Sequence, residues 1–116
     1  MRSVAVAIGL LIAAPAVGQS ANSVRGQAVF ERWCSACHAP GPQKPGTMAL
    51  QAKYGGAIPG ALEERRDLSP DIVRYFVRNG ISIMPFFRKT EISDDDLAVL
   101  EIYLSKTQVG NRKKTR

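Results

Sequence analysis

The residues best able to do chemistry lie in one short motif, Cys34-Ser35-Ala36-Cys37-His38. Two thiols three positions apart lie about one helical turn apart. Each thiol can therefore add to a vinyl group of the same porphyrin, and the imidazole that follows is presented to its iron. This spacing is typical of c-type haem attachment. The motif predicts one haem c, bound covalently through Cys34 and Cys37, with His38 as an iron ligand.

Other uses of this cysteine pair fit the sequence less well. In an exported chain two such cysteines could form a disulfide or a dithiol redox motif. No βαβ pattern surrounds them, which disfavours a thioredoxin-like dithiol. A tetrahedral zinc site needs four ligands, but the chain has a single histidine and no third cysteine.

A methionine is the best candidate for the second axial ligand of the iron. Because His38 is the only histidine, the other axial position must be taken by methionine, another side chain, water or nothing. Met84 precedes Pro85, which fixes φ and removes a backbone donor in a loop between two predicted helices. Met48 follows closely after His38 and is interpreted as core filler. We therefore predict that His38 and Met84 are the metal ligands.

The N-terminus has the pattern of a secretory signal peptide. Arg2 provides a positive charge, residues 4–14 are almost uninterrupted apolar residues, and small residues follow at Ala16 and Gly18. We predict a signal peptide at residues 1–18, with cleavage before Gln19 and export to the periplasm. A retained anchor is disfavoured because a spanning helix needs about 20 apolar residues and this run is interrupted by glycine and proline.

Composition and charge predict one folded domain with a basic tail. A chain of 116 residues with 45% hydrophobic and 22% charged residues is sized for one globular domain, predicted here at residues 19–108. Its net charge of +6 is uneven, since four positive residues lie in the last five positions. Residues 109–116 are therefore predicted to be a disordered tail. Without a basic helix or an aromatic stacking platform, nucleic-acid binding is not expected.

The rest of the chain predicts short helices separated by long loops. Glycine and proline fill much of the region 39–60, and no alternating run suggests a strand. The predicted helices are 24–35, capped by Asn22 or Ser23; a short helix at 48–54; a helix capped by Ser69 and ended by Asn79-Gly80; and one from Ser93 to about residue 106. The prediction is an all-α fold of three to four short helices, with loops wrapped around an apolar cofactor that completes a small core.

With these features, residues from about 24 to 105 resemble a class I cytochrome c. The resemblance implies a crossed-helix contact in which Gly26 and Phe30 of the first helix meet Leu100 and Tyr103 of the last. It also implies that the carbonyl of Pro45 accepts a hydrogen bond from the second nitrogen of the ligating imidazole, an outer partner that orients the ring.

A closer resemblance is to the cytochrome subunits of flavocytochromes of the p-cresol methylhydroxylase and eugenol hydroxylase type. In those enzymes a flavoprotein subunit removes a hydride from a 4-alkylphenol, and the cytochrome accepts the electrons from the flavin one at a time. No residue of this chain is expected to bind the phenol. The segments that carry the resemblance are Cys37-His38-Ala39-Pro40-Gly41-Pro42, Pro45-Gly46-Thr47, Ala52-Lys53-Tyr54, Val77-Arg78-Asn79-Gly80 and Met84-Pro85-Phe86-Phe87-Arg88-Lys89-Thr90.

Three functions follow as hypotheses. The first is one-electron transfer as the subunit that accepts electrons from a flavoprotein dehydrogenase, with Arg88 and Lys89 beside the haem edge. The alternative is a free soluble cytochrome c that carries electrons between respiratory complexes. A haem peroxidase or gas-binding protein is disfavoured, because no histidine remains for acid-base work on the distal side.

Overall fold

Regular structure in the described part of the chain is helical, apart from one isolated bridge between Ile81 and Met84. The structure is a computed structural model that describes residues 17–114, with side chains described for residues 20–105. The predicted all-α class is confirmed. The described residues form five α-helices and one 3₁₀ turn: α1 (Val17–Trp33), α2 (Ser35–His38), α3 (Pro45–Tyr54), the 3₁₀ turn (Leu62–Glu64), α4 (Pro70–Asn79) and α5 (Asp94–Lys114).

Helix α1 begins earlier than predicted. It starts at Val17, so the predicted caps Asn22 and Ser23 lie inside the helix and that prediction is wrong. The residues between Gly18 and Gly26 include no proline or glycine, and nothing there ends a helix. Most of the predicted signal peptide, residues 1–16, lies outside the described residues.

Helix α4 agrees with the prediction at both ends. The Ser69 hydroxyl accepts a hydrogen bond from the Ile72 N–H at 3.3 Å, and Pro70 is the first helical residue. Gly80 follows the last turn with φ of 66°, a left-handed value that favours glycine. Helix α3 begins at Pro45 rather than at residue 48, because proline is well suited to the first helical position.

Helix α5 starts as predicted but ends later. The Ser93 hydroxyl accepts from the Asp96 N–H at 3.1 Å, as expected of an N-cap. The helix extends to Lys114 and so includes most of the segment predicted to be a disordered tail. Lysine and arginine are good helix formers, and basic residues near a helix C-terminus complement its dipole. None of the helices in the described residues is long and apolar enough to cross a membrane.

The crossing of α1 and α5 depends on a glycine. A Cβ atom at Gly26 would collide with the Val99 carbonyl oxygen and would lie 2.6 Å from the Tyr103 Cβ, so the two helices touch through backbone atoms. One turn later, the Phe30 ring lies 6.1 Å from the Tyr103 ring, centroid to centroid. The predicted crossed-helix contact is confirmed, and Leu100 is fully buried within it.

A single apolar core joins this crossing to the remaining elements. Trp33, Cys34 and Phe87 pack against its edge. The core therefore reaches the first cysteine of the motif. Its buried members are Val29, Phe30, Leu68, Val73, Val77, Ile92, Leu97, Val99, Leu100 and Leu104.

Candidate functional site

The Cys-His motif lies on helical backbone that continues from α1. The Cys34 N–H donates to the Phe30 carbonyl at 2.9 Å, and the His38 N–H donates to the Cys34 carbonyl at 2.9 Å. The Ser35 hydroxyl donates to the Glu31 carbonyl at 2.7 Å, which secures the junction between α1 and α2. Cys34 and Cys37 are both free thiols. They are presented about one turn apart, as attachment to one porphyrin requires.

The two thiols differ in environment. Cys34 packs against the core, and burial, together with the nearby Cys37, raises the pKa of its thiol to about 12. A thiol that stays protonated at neutral pH is a poor nucleophile for disulfide exchange. Cys37 is exposed. One thiol of the pair therefore lies against the core and the other lies open to solvent.

His38 has one side of its ring pressed against the start of α3. A Cβ atom at Gly46 would lie 2.5 Å from His38 Cε1 and 2.7 Å from Nδ1, so only glycine leaves room for the imidazole. His38 Nδ1 is buried and has no hydrogen-bond partner among the described residues. Burial, and then the positive charge of Arg65, lower the pKa of His38, which favours the neutral form that binds metals.

The hydrogen bond from His38 Nδ1 to the Pro45 carbonyl, implied by the resemblance, is not formed in this structure, and that expectation is wrong here. Pro45 is the first residue of α3. The Thr47 hydroxyl donates to the Ala39 carbonyl at 2.9 Å and fixes the loop after His38.

Arg65 is a buried cation near His38 that the sequence did not reveal. Its guanidinium donates twice to the Asp67 carboxylate and lies 5.1 Å from the centre of the Tyr54 ring. In the sequence Arg65 stands in the charged run Glu63-Glu64-Arg65-Arg66-Asp67. Such runs are usually solvated, and no pattern in it distinguishes the one buried member.

Met84 lies in a tight turn directly after α4, in the segment of residues 81–87, which we call the Met84 loop. The Ile81 N–H donates to the Met84 carbonyl at 3.1 Å, and the Met84 N–H donates back to the Ile81 carbonyl at 2.9 Å. A Cβ atom at Gly80 would lie 2.6 Å from the Met84 carbonyl oxygen. The loop therefore folds back closely over the end of α4.

The far end of the Met84 loop is attached to the helix that carries the motif. The Phe87 N–H donates to the Val77 carbonyl at 2.8 Å. The Phe87 ring meets the Trp33 ring edge-on, with centroids 5.9 Å apart. Trp33 immediately precedes Cys34, so this contact brings the Met84 loop to the Cys34 end of α1. Met48 instead lies on α3 with 58% of its surface exposed, so its interpretation as core filler is wrong.

Apolar side chains of the Met84 loop are exposed beside this site. Ile81, Ile83 and Phe86 expose 53%, 84% and 60% of their surfaces. Contiguous exposed apolar residues usually mark a binding surface. Together with two free thiols and the imidazole of His38, they fit a large apolar cofactor that is attached through sulfur and ligated by nitrogen.

An all-helical fold with these groups defines a c-type cytochrome. Residues 21–104 match the family model described as cytochrome c oxidase, cbb3-type, subunit III, and the chain belongs to this family. None of the curated proteins matches the chain. Family membership makes the protein a haem c electron-transfer protein with redox partners, which confirms the predicted cytochrome class and the covalent haem. The roles of the individual site residues stay predictions.

Proposed function

We propose that the protein transfers single electrons through one haem c, attached by Cys34 and Cys37 and ligated by His38 and Met84. The observation that carries this proposal is the edge-on contact between Trp33 and Phe87, at 5.9 Å, which ties the Met84 loop to the end of the helix that presents Cys34. The unpartnered His38 Nδ1 faces Gly46, which leaves Nε2 as the nitrogen for iron.

When bound, the haem supplies an Fe(III)/Fe(II) couple. The chain determines how that couple behaves. Met84 would favour the reduced state, since thioether ligation raises the reduction potential. His38 and Met84 would both hold the iron, and two side-chain ligands would leave no room for oxygen or peroxide to bind. This arrangement suits electron transfer and not haem-based catalysis.

The test is a redox titration of the full chain, produced in a host that attaches c-type haem. We expect haem that survives a denaturing gel, a titration that fits a single one-electron step, and a reduced protein that does not bind carbon monoxide. Carbon monoxide binding by the unaltered reduced protein would contradict Met84 ligation. It would favour the peroxidase or gas-binding alternative.

Export to the periplasm is part of the proposal. It rests on the charged, apolar and small-residue pattern of residues 1–18 and on the oxidising compartments in which such cysteine motifs mature. N-terminal sequencing of the mature protein should begin at Gln19 or a few residues later. A mature protein that begins at Met1 would contradict the signal peptide.

The partner we propose is a flavoprotein dehydrogenase of the 4-alkylphenol hydroxylase type. The support is the sequence resemblance around the motif and the Met84 loop. Arg88 and Lys89, which follow this loop, expose 72% and 74% of their side chains. Each is paired with an acid of its own chain, Arg88 with Glu91 at 3.6 Å and Lys89 with Asp94 at 2.8 Å. Copurification from the native host should recover a flavin-containing oxidoreductase.

A second candidate is a carrier that delivers electrons to a respiratory complex. The match to a family described by an oxidase subunit favours it. Copurification separates the two candidates, because the carrier would recover an oxidase or a quinol-oxidising complex and no flavoprotein.

A further inference from the structure

Arg78, in the last turn of α4, connects three elements through one guanidinium group. Its Nη1 donates to the Phe87 carbonyl at 3.0 Å, and its Nη2 donates to Asp94 Oδ1 at 2.9 Å. The side chain is only 20% exposed. Arg78 therefore connects α4 both to the end of the Met84 loop and to the first residue of α5.

Arg74, one turn earlier on the same helix, provides an internal comparison. Its Nε and Nη2 donate to the two carboxylate oxygens of Glu101 on α5, at 2.8 and 3.0 Å. Its side chain is 59% exposed. Both arginines join α4 to α5, but of the two it is Arg78 that also bonds to the Met84 loop. A comparison of Arg78 with Arg74 therefore separates the effect of the loop contact from the effect of joining α4 to α5.

The contact with Phe87 is placed where it can hold Met84. Gly80 limits the loop at one end through its close approach to the Met84 carbonyl. At the other end, the Phe87 N–H is bonded to Val77 and the Phe87 carbonyl to Arg78. With both peptide groups of Phe87 engaged, the short segment between Gly80 and Phe87 has little freedom, and Met84 lies in the middle of it.

Arginine is suited to this task in a way that lysine is not. The planar guanidinium presents several N–H donors in a rigid fork, so one side chain can donate to a carbonyl and a carboxylate in different directions. An ammonium group on a flexible stem holds such a geometry less well. A hydrogen bond from a charged donor is also stronger than one between neutral groups.

We infer that Arg78 is a positioning residue for the axial methionine: it holds the Met84 loop so that the Met84 sulfur stays on the iron. The inference rests on the proposed function, in which Met84 is the ligand. Loss of the Arg78 bond would leave the iron–sulfur bond possible but easier to displace.

The experiment measures how readily exogenous imidazole displaces Met84 from the ferric protein. The samples are the full-length haem-loaded protein and its Arg78→Gln, Arg78→Lys and Arg74→Gln variants. We expect Arg78→Gln to bind imidazole about tenfold more tightly, as the loss of one charge-assisted hydrogen bond implies. Arg78→Lys should bind it severalfold more tightly, and Arg74→Gln should match the unaltered protein within about twofold.

The outcomes separate this inference from the proposed function. If Arg78→Gln and Arg74→Gln bind imidazole equally, the positioning role is wrong. If Arg78→Gln does not yield folded protein, the Arg78→Lys variant is the test. If Arg78→Lys binds imidazole with the same affinity as the unaltered protein, the positioning role is wrong. The Met84→Ala variant tests the proposed function independently. If the methionine–iron optical band persists in that variant, Met84 is not the iron ligand.

Hydrogen exchange at the Phe87 amide provides a second readout that does not depend on iron ligation. This amide is bonded to the Val77 carbonyl, and we expect its exchange to accelerate in Arg78→Gln but not in Arg74→Gln. Unchanged exchange in Arg78→Gln would mean that the loop is held without Arg78.

Discussion

Gly46 and His38 are in such close contact that the backbone at one residue determines where the ring of the other can lie. A Cβ atom at Gly46 would lie 2.5 Å from His38 Cε1, well inside van der Waals contact. The imidazole therefore rests against the backbone at the start of α3. A side chain at residue 46 must move the ring or the helix.

Gly46→Ala should weaken axial ligation by His38, because the new methyl group displaces the imidazole that must reach the iron. We expect a lower reduction potential or a changed ferric spectrum, and a loss of stability of about 1–3 kcal/mol from overpacking. Redox titration and denaturant unfolding measure the two effects. Gly55→Asn is the control, since Gly55 ends the same helix with φ of 57° and has open space at its Cβ position, where asparagine is tolerated. Equal spectra and stability for both variants would contradict the close contact.

Replacing both Cys34 and Cys37 by alanine should abolish covalent haem, because no other cysteine exists in the chain. Each single variant should retain at most one thioether. Haem staining of a denaturing gel measures the covalent fraction. A positive stain in the double variant would exclude these cysteines as the attachment points.

Met84→Ala should open the sixth position, lower the reduction potential and allow carbon monoxide to bind the reduced iron. Met48→Ala is the matched control. Because Met48 is 58% exposed on α3, this variant should lose only a few packing contacts and keep the iron ligation. The optical band assigned to methionine–sulfur ligation should vanish in the first variant and persist in the second. The opposite result would assign the ligand to Met48.

Asp67→Asn should destabilise the protein at neutral pH and have less effect in acid. The hydrogen bond from Arg65 is the main cause that lowers the pKa of Asp67 in the folded state. The folded pKa thus lies below the unfolded one, near 4, so the stabilisation is present above about pH 4 and is lost as pH falls through the folded pKa. Because the Asp67 side chain is 44% exposed, we expect only about 1 kcal/mol. Denaturant unfolding of both proteins across pH tests this, and a difference that grows in acid would contradict it.

Charge reversal at Arg88 and Lys89 should slow electron transfer from the flavin of the proposed partner without changing the optical spectrum. The iron ligands are untouched, whereas the surface beside the Met84 loop changes sign, and opposite surface charge steers association. Because Arg88 pairs with Glu91 of its own chain, the variant Glu91→Gln should act in the opposite direction. Stopped-flow reduction by the partner measures the rates at low and high salt. Equal rates for all variants at low salt would exclude this face as the docking surface.

Local signals in the sequence were sufficient for the elements that depend on neighbouring residues. The haem motif needs only the spacing of Cys34, Cys37 and His38, and helix α4 needs only its cap, its proline and its closing glycine. Such features depend on hydrogen bonds and dihedral angles within a few residues, which a sequence displays directly. In the structure α1 reaches back to Val17 and α5 reaches on to Lys114, beyond the ends that the local signals predicted.

Contacts between separate segments of the chain were decided by the tertiary structure alone. The sequence by itself determined the cytochrome chemistry, the helical class and Met84 as the candidate ligand. Only packing decided that Phe87 meets Trp33, that Arg78 bonds to the Phe87 carbonyl, that Arg65 is buried, and that the Pro45 carbonyl does not accept from His38. These features depend on how separate elements of the fold pack against one another. No periodicity or composition in one segment encodes the position of another, because that position follows from how all the apolar faces are buried together.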